Sequence, residues 1–206
     1  MMTSRLLPAL LLLIAPVAVA QAPTSPPPLE ASAKAASLAA GHYKLDSKHT
    51  SVIAIVRHVG VEDYLVRFDK FAADLTYDPA HPETDKLEAT VDATSLDVGA
   101  DYSRDFANTF LGAAKNPTMT FVATAMTPNA DGRTGTMAGN LTLNGVTRPV
   151  TFNVVFNGAG RNFPFGTAAG FAAEGTIKRS DFGSHAWKSV VGDEVQIQIR
   201  AGFDKK

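Results

Sequence analysis

Residues 137–156 read MAGNLTLNGVTRPVTFNVVF. Met137, Gly139, Leu141 and Leu143 stand at every second position, and beyond the Asn144-Gly145 pair the same spacing resumes at Val150, Phe152, Val154 and Phe156. A period of two puts one set of side chains on one face of a β-strand. Asn-Gly is the pair that a tight type I′ hairpin favours, because both central residues need positive φ. The stretch therefore predicts two adjacent antiparallel strands.

Outward from this hairpin the pattern repeats. On the N-terminal side lie Val52, Ala54, Val56 and His58, then Leu87, Ala89 and Val91, then Met119, Phe121, Ala123 and Ala125. On the C-terminal side lie Phe171, Ala173, Gly175 and Ile177, then Val195, Ile197 and Ile199. With a strand around Leu65 to Tyr77, the reading is all-β with eight strands. A turn is expected at Asn129 to Gly132. Between Asp101 and Pro117, Phe106, Phe110 and Leu111 fall at helical spacing, so Tyr102 to Ala114 is expected to form a short helix crossing one end of the sheet.

Eight antiparallel strands form either a sandwich or a closed barrel, and closure removes the edges that invite aggregation. Periodicity does not choose between them. The inward face carries small residues, Ala54, Ala89, Ala123, Gly139, Ala173 and Gly175. Two readings fit: these residues leave space inside an eight-stranded barrel, or they let Phe121, Phe152 and Phe171 interdigitate.

Residues 1–20 have a basic start at Arg5, an apolar run from Leu6 to Val19, and small residues at Ala18 and Ala20. The run is interrupted by Pro8 and Pro16 and is shorter than the roughly 20 residues of a membrane-spanning helix. It reads as a secretory signal peptide cleaved after Ala20, with export to the periplasm and no integral membrane segment in the mature chain. Residues 21–41, rich in Ala and Pro, read as a flexible linker, and residues 42–206 as the barrel domain. Without Arg5 the formal balance falls from 19 basic against 20 acidic residues to 18 against 20, or −2. Apart from the pairs Lys178-Arg179 and Lys205-Lys206 the basic residues are scattered singly, which argues against a nucleic-acid partner. With no cysteine in an exported chain, burial alone must stabilise the fold.

Three ordered motifs carry a family resemblance. The first is Tyr43, Asp46, His49, Thr50, Ser51, Val52, Val56, His58 and Gly60. The second is the hairpin from Gly139 through Asn144 and Gly145 to Val150, and the third runs from Ile177, Lys178, Arg179, Ser180, Asp181, Phe182 and Gly183 to Val191, Gly192, Asp193, Glu194 and Val195. From about Tyr43 to Phe203 the chain resembles the YceI-like family of exported polyisoprenoid-binding proteins. That resemblance implies a lipocalin-like barrel and an apolar amphiphile as ligand, either a polyisoprenoid or an isoprenoid quinone. Two positions depart from the family pattern. Val66 stands before Arg67 and Phe68 where a Gly is usual, and Arg104, Asp105, Phe106 and Ala107 lack the usual His-Leu pair.

Strand parity then supplies the inward set expected to contact such a ligand: Val52, Ala54, Val56, His58, Phe68, Val91, Phe121, Leu141, Phe152, Phe171 and Ile197. No catalytic residue, required cofactor or metal is expected. His42, His49, His58, His81 and His185 show no HxH or HxxxH spacing. His49 is expected to bond a turn and His81 to be solvated. Arg179, Ser180 and Asp181 read as a strand on which Ser180 faces away from its neighbours, so they form no relay. Arg179 and Asp181 are expected to pair and close the barrel end, with contact to a ligand head group as the alternative role for Arg179. Trp187, and Phe163 and Phe165 in a loop from Asn157 to Thr167, either line an entrance or plug it. A competing reading is a stress-related interaction protein with a filled barrel, acting through an outer surface such as Ile53, Ile55 and Val59 or through a homodimer interface there.

Overall fold

Asn144 and Gly145 adopt φ of 51° and 74°, the left-handed pair that a type I′ turn needs, and Leu143 opposite Val146 starts a ladder that continues through Leu141–Arg148 to Met137–Phe152. The structure is a computed structural model describing residue 32, residues 34–162 and residues 166–206. The stretch read as a signal peptide, the proline run, and Phe163 and Phe165 lie outside the described residues.

The strands are β1 (Gly41–His58), β2 (Glu62–Phe68), β3 (Phe71–Tyr77), β4 (Lys86–Asp92), β5 (Leu96–Asp97), β6 (Thr118–Pro128), β7 (Thr134–Leu143), β8 (Val146–Asn162), β9 (Gly166–Lys178) and β10 (Val191–Lys205). One helix, α1 (Ser103–Leu111), interrupts them and ends at Gly112, whose φ of 61° is the left-handed C-terminal cap that glycine adopts without strain. Sequential antiparallel pairing leads from β3 through β4, β6, β7, β8 and β9 to β10, and β10 pairs back onto β1 from Tyr43–Lys205 to His58–Val191. The sheet is a closed eight-stranded antiparallel barrel.

The strand expected over Leu65 to Tyr77 occupies one position in this barrel but is broken in two. β2 pairs with the second half of β1 and β3 with the first half. The break falls at Asp69 and Lys70, whose backbone N–H groups donate to the carbonyl and hydroxyl of Ser95. Arg67 donates to both Asp69 and Asp97 at 2.7 Å, pinning the bend to β5. Three further expectations are corrected. A bulge between Ala123 and Ala125 shifts the register of β6, so Met126 rather than Ala125 faces inward. The loop expected over 157–167 is, in its described part, a continuation of the β8–β9 hairpin.

The third correction concerns the linker. Its described C-terminal part is docked onto the barrel, with Ser32 bridging Ala159 and the N–H of Ala35 donating to the carbonyl of Gly132. Leu38 is the reason: as a large aliphatic side chain it reaches a core of Tyr43, Leu75, Phe156 and Phe203 and is 1% exposed. This strap closes one end of the barrel and α1 closes the other. At the helix end Ala107 packs on Ala93, Phe68, Leu96 and Ala113.

Candidate ligand cavity

Between the two packed ends the barrel is hollow. A cavity of about 780 Å³ runs from the strap to the helix, within the range of small-molecule sites. Val52, Ala54, Val56 and Val91 point into it yet are only half-buried, because the space facing them holds no side chains. The small inward residues divide between the two readings. A Cβ at Gly139 would meet Phe121 Cζ at 2.4 Å, and one at Gly175 would meet Phe152 Cδ1 at 2.8 Å. Those glycines make room for the edge-to-face pair Phe121–Phe152, whose ring centroids are 5.4 Å apart. Ala54 and Ala89 instead line open space, and Ala173, 7% exposed, packs with the two phenylalanines.

Every residue of the inward set lies on the cavity wall. β1 supplies Val52, Ala54, Val56 and His58, and β2 and β4 add Phe68 and Val91. The opposite wall is made by Phe121, Leu141 and Phe152, and Phe171 and Ile197 complete the circuit on β9 and β10. Strand parity missed Met126, turned inward by the bulge, and Ala35 of the strap. It also missed Tyr64 and Ser184; Tyr64 shares parity with Val66 and Phe68 and was legible on that ground.

The two ends of the cavity differ chemically. At the strap end, Tyr77 donates its hydroxyl to the carbonyl of Ala35 at 2.9 Å and Tyr43 donates to that of Ala39 at 2.5 Å. Burial pushes both phenols above the ordinary value of 10.0. Asp85 is held above the ordinary aspartate value by burial, despite accepting the N–H of Asp78. At the helix end an aromatic cluster forms the cover. Phe106 meets Tyr102, Phe110 and Trp187 at centroid distances of 4.8, 5.5 and 5.6 Å. Burial, and then a hydrogen bond with Tyr102, push the Tyr64 phenol up to about 12.

Arg179 is 6% exposed and sits in a 3₁₀ turn, Arg179–Phe182, rather than a strand. It does not pair with Asp181. Its Nε, Nη1 and Nη2 donate to the carbonyls of Gly192, Ser184 and Val191 at 2.8, 3.1 and 2.9 Å, and the face of Phe110 lies 5.8 Å from its Cζ. This rivets the segment after β9 to the first residues of β10, since it gives one loop carbonyl and two carbonyls at the start of that strand a buried donor. Ser180 donates to Asp193 at 2.7 Å, and that bond is the main reason the Asp193 carboxyl lies below its ordinary range. The remaining histidines scatter: His49 bonds Asp46 at 2.5 Å, His81 lies 3.1 Å from Asp78, and His42 meets Thr76. Among the described residues no three His, Cys, Asp or Glu side chains gather to hold a metal ion.

The model of the YceI-like domain matches residues 43–203. The chain belongs to the YceI-like family. A UPF0312 protein of Pseudomonas paraeruginosa is 34% identical over 164 residues, covering 78% of this chain and 85% of that protein. The crystal structure of BcnA from Burkholderia cenocepacia superposes with a TM-score of 0.68 at 30% identity, covering 77% of this chain and 98% of that one. A polyisoprenoid-binding domain from Saccharophagus degradans shares the fold, with a TM-score of 0.57 at 12% identity over 80% of this chain and 98% of its own.

Proposed function

We propose that this YceI-like chain is a non-catalytic, exported carrier that encloses a long apolar amphiphile, a polyisoprenoid or an isoprenoid quinone, in its barrel. The observation that carries this reading is the cavity of about 780 Å³, walled by aliphatic and aromatic side chains along the barrel. The driving force is desolvation: each buried methylene contributes about 0.8 kcal/mol. A long tail gains many such increments without polar contacts, so selectivity for the tail is loose. The ligand-binding residues are the inward set from Val52 to Ile197. The likeness to a polyisoprenoid-binding domain supports the ligand class through the fold alone.

Organic-solvent extraction of the protein purified from its periplasmic fraction, followed by mass spectrometry, tests the carrier. About one equivalent of prenyl lipid is expected, with a mature N-terminus at Gln21. Recovery of no stoichiometric lipid, together with no binding of added prenyl lipids, overturns it. A homodimer is a second reading with one observation behind it. Leu65, 56% exposed on the outer wall, lies directly opposite Ile55, and light scattering in solution tests whether that face is covered by a second copy.

A further inference from the structure

We propose that the helix end of the cavity holds a head-group subsite, built by Ser184, His58 and Arg179, that takes an oxygen acceptor and so sets the direction in which an amphiphile binds. The proposal rests on the carrier reading and adds orientation and head chemistry to it.

Buried side-chain polar atoms almost always have partners. Among the described residues only two do not, Ser184 Oγ and His58 Nδ1. Both belong to residues on the wall of the same cavity and at the same end of it. Ser184 is 5% exposed, so bulk water is no substitute partner. The Glu62 carboxylate lies 3.7 Å from His58 Nδ1, beyond hydrogen-bond reach.

Arg179 joins the two. Its Nη1 donates to the carbonyl of Ser184, and its Nη2 donates to the carbonyl of Val191, the residue opposite His58 in the β1–β10 ladder. A guanidinium has five N–H donors. Three are spent on carbonyls, which leaves one on each Nη and no carboxylate within ion-pair distance among the described residues. A hydroxyl, an imidazole and a cation with spare donors, at one end of a tunnel whose middle is walled by Val52, Ala54, Phe121, Leu141 and Phe152, suit a head group that presents acceptor oxygens. Carbonyl and anionic heads share that chemistry. The tail then extends past Phe121 and Phe152 toward the strap.

Three probes of matched length separate the sources: a polyprenyl hydrocarbon without a head, a prenyl benzoquinone and a prenyl monophosphate. Ser184→Ala removes one hydroxyl without disturbing the Arg179 rivet, which uses the backbone carbonyl. It is expected to weaken whichever headed probe binds by roughly 5- to 10-fold, the worth of one hydrogen bond, and to leave the hydrocarbon unchanged. Trp187, the sole tryptophan, stands at the helix end against Phe106 and Phe110, so it reports direction in the wild-type protein. A bromine next to the head is expected to quench its fluorescence and a bromine at the tail tip is not. Equal affinity of headed and headless probes for both proteins, or quenching only from the tail tip, overturns the subsite while leaving the carrier intact. Binding of none of the three probes overturns the carrier itself.

Discussion

The strap end and the helix end close the same barrel by different means. At the strap end Leu38, Tyr43, Phe156 and Phe203 are 4% exposed or less, and backbone bonds between Ala35 and Gly132 and between Ser32 and Ala159 tie the cover to the strands. At the helix end Tyr102 and Trp187 are about half exposed (47% and 53%), and the contacts are edges of rings. Each such pair is worth about 0.5–1.5 kcal/mol beyond its buried area. Val59 and Val61, at the tip of the β1–β2 turn beside Val190, leave that end more apolar on its outside as well. Both ends have a packed core, but the strap is anchored in its core by the buried Leu38 whereas the helix end adds a partly exposed ring cluster over its core of Ala93, Ala107 and Ala113, and the polar atoms without partners are at the second.

The largest expected effect follows from that contrast. Phe203→Ala empties a packed site at the strap end and should cost about 3–5 kcal/mol in urea unfolding. Phe106→Ala, in a half-buried ring cluster, should cost less than half as much while speeding release of a bound prenyl lipid. Equal costs at the two ends would mean that they are equally core-like. The wall between them gives the next effect. Gly139→Ala drives a Cβ into Phe121 and the carbonyl of Val122 at 2.4–2.5 Å and should cost about 1–3 kcal/mol by overpacking. It should leave the strap and helix amides with unchanged relative hydrogen exchange.

A gain is expected at the helix end, where Val59 holds φ of 44°. A β-branched residue pays roughly 1–2 kcal/mol in that region, and Asn tolerates it better. Val59→Asn should therefore raise Tm by about 2–4 °C; a lower Tm would show that packing of the valine outweighs the strain.

The smallest effect is on the acid side and concerns the turns beside the strap. Asp131 is held below the ordinary value of 3.8, first by the N–H of Thr134, and Asp78 likewise, first by the N–H of Ala80. A lowered folded-state pKa adds stability above 3.8 that fades as pH falls through the folded value. Asp85, raised by burial, has the opposite sign: its contribution is present at low pH and fades as pH rises through its raised value. Asp131→Asn should thus lower stability at neutral pH and flatten the loss below about pH 4, as read by thermal melts across a pH series.

Much of the cavity wall was legible because parity is local. Once Val52 faces inward, Ala54 and Val56 must follow, whatever the rest of the chain does. The same logic failed at Ala125, where one extra residue in β6 reversed the faces and turned Met126 inward. It failed again at Arg179. Its carbonyl partners belong to residues 184, 191 and 192, across a turn that has no periodicity to read. The strap was hidden because a single Leu38 in an Ala- and Pro-rich run carries no pattern, only a side chain that finds a pocket.

The sequence by itself determined the all-β class, the Asn144–Gly145 turn, the end-covering helix and the inward identity of the alternating strand residues on the wall, since each depends on neighbours two to four positions away. Only the tertiary structure decided that the barrel is closed and hollow. Closure depends on β1 meeting β10, some 150 residues apart in register. The void depends on where large side chains stop short of one another, with Gly139 and Gly175 seating two phenylalanines while Ala54 and Ala89 face empty space.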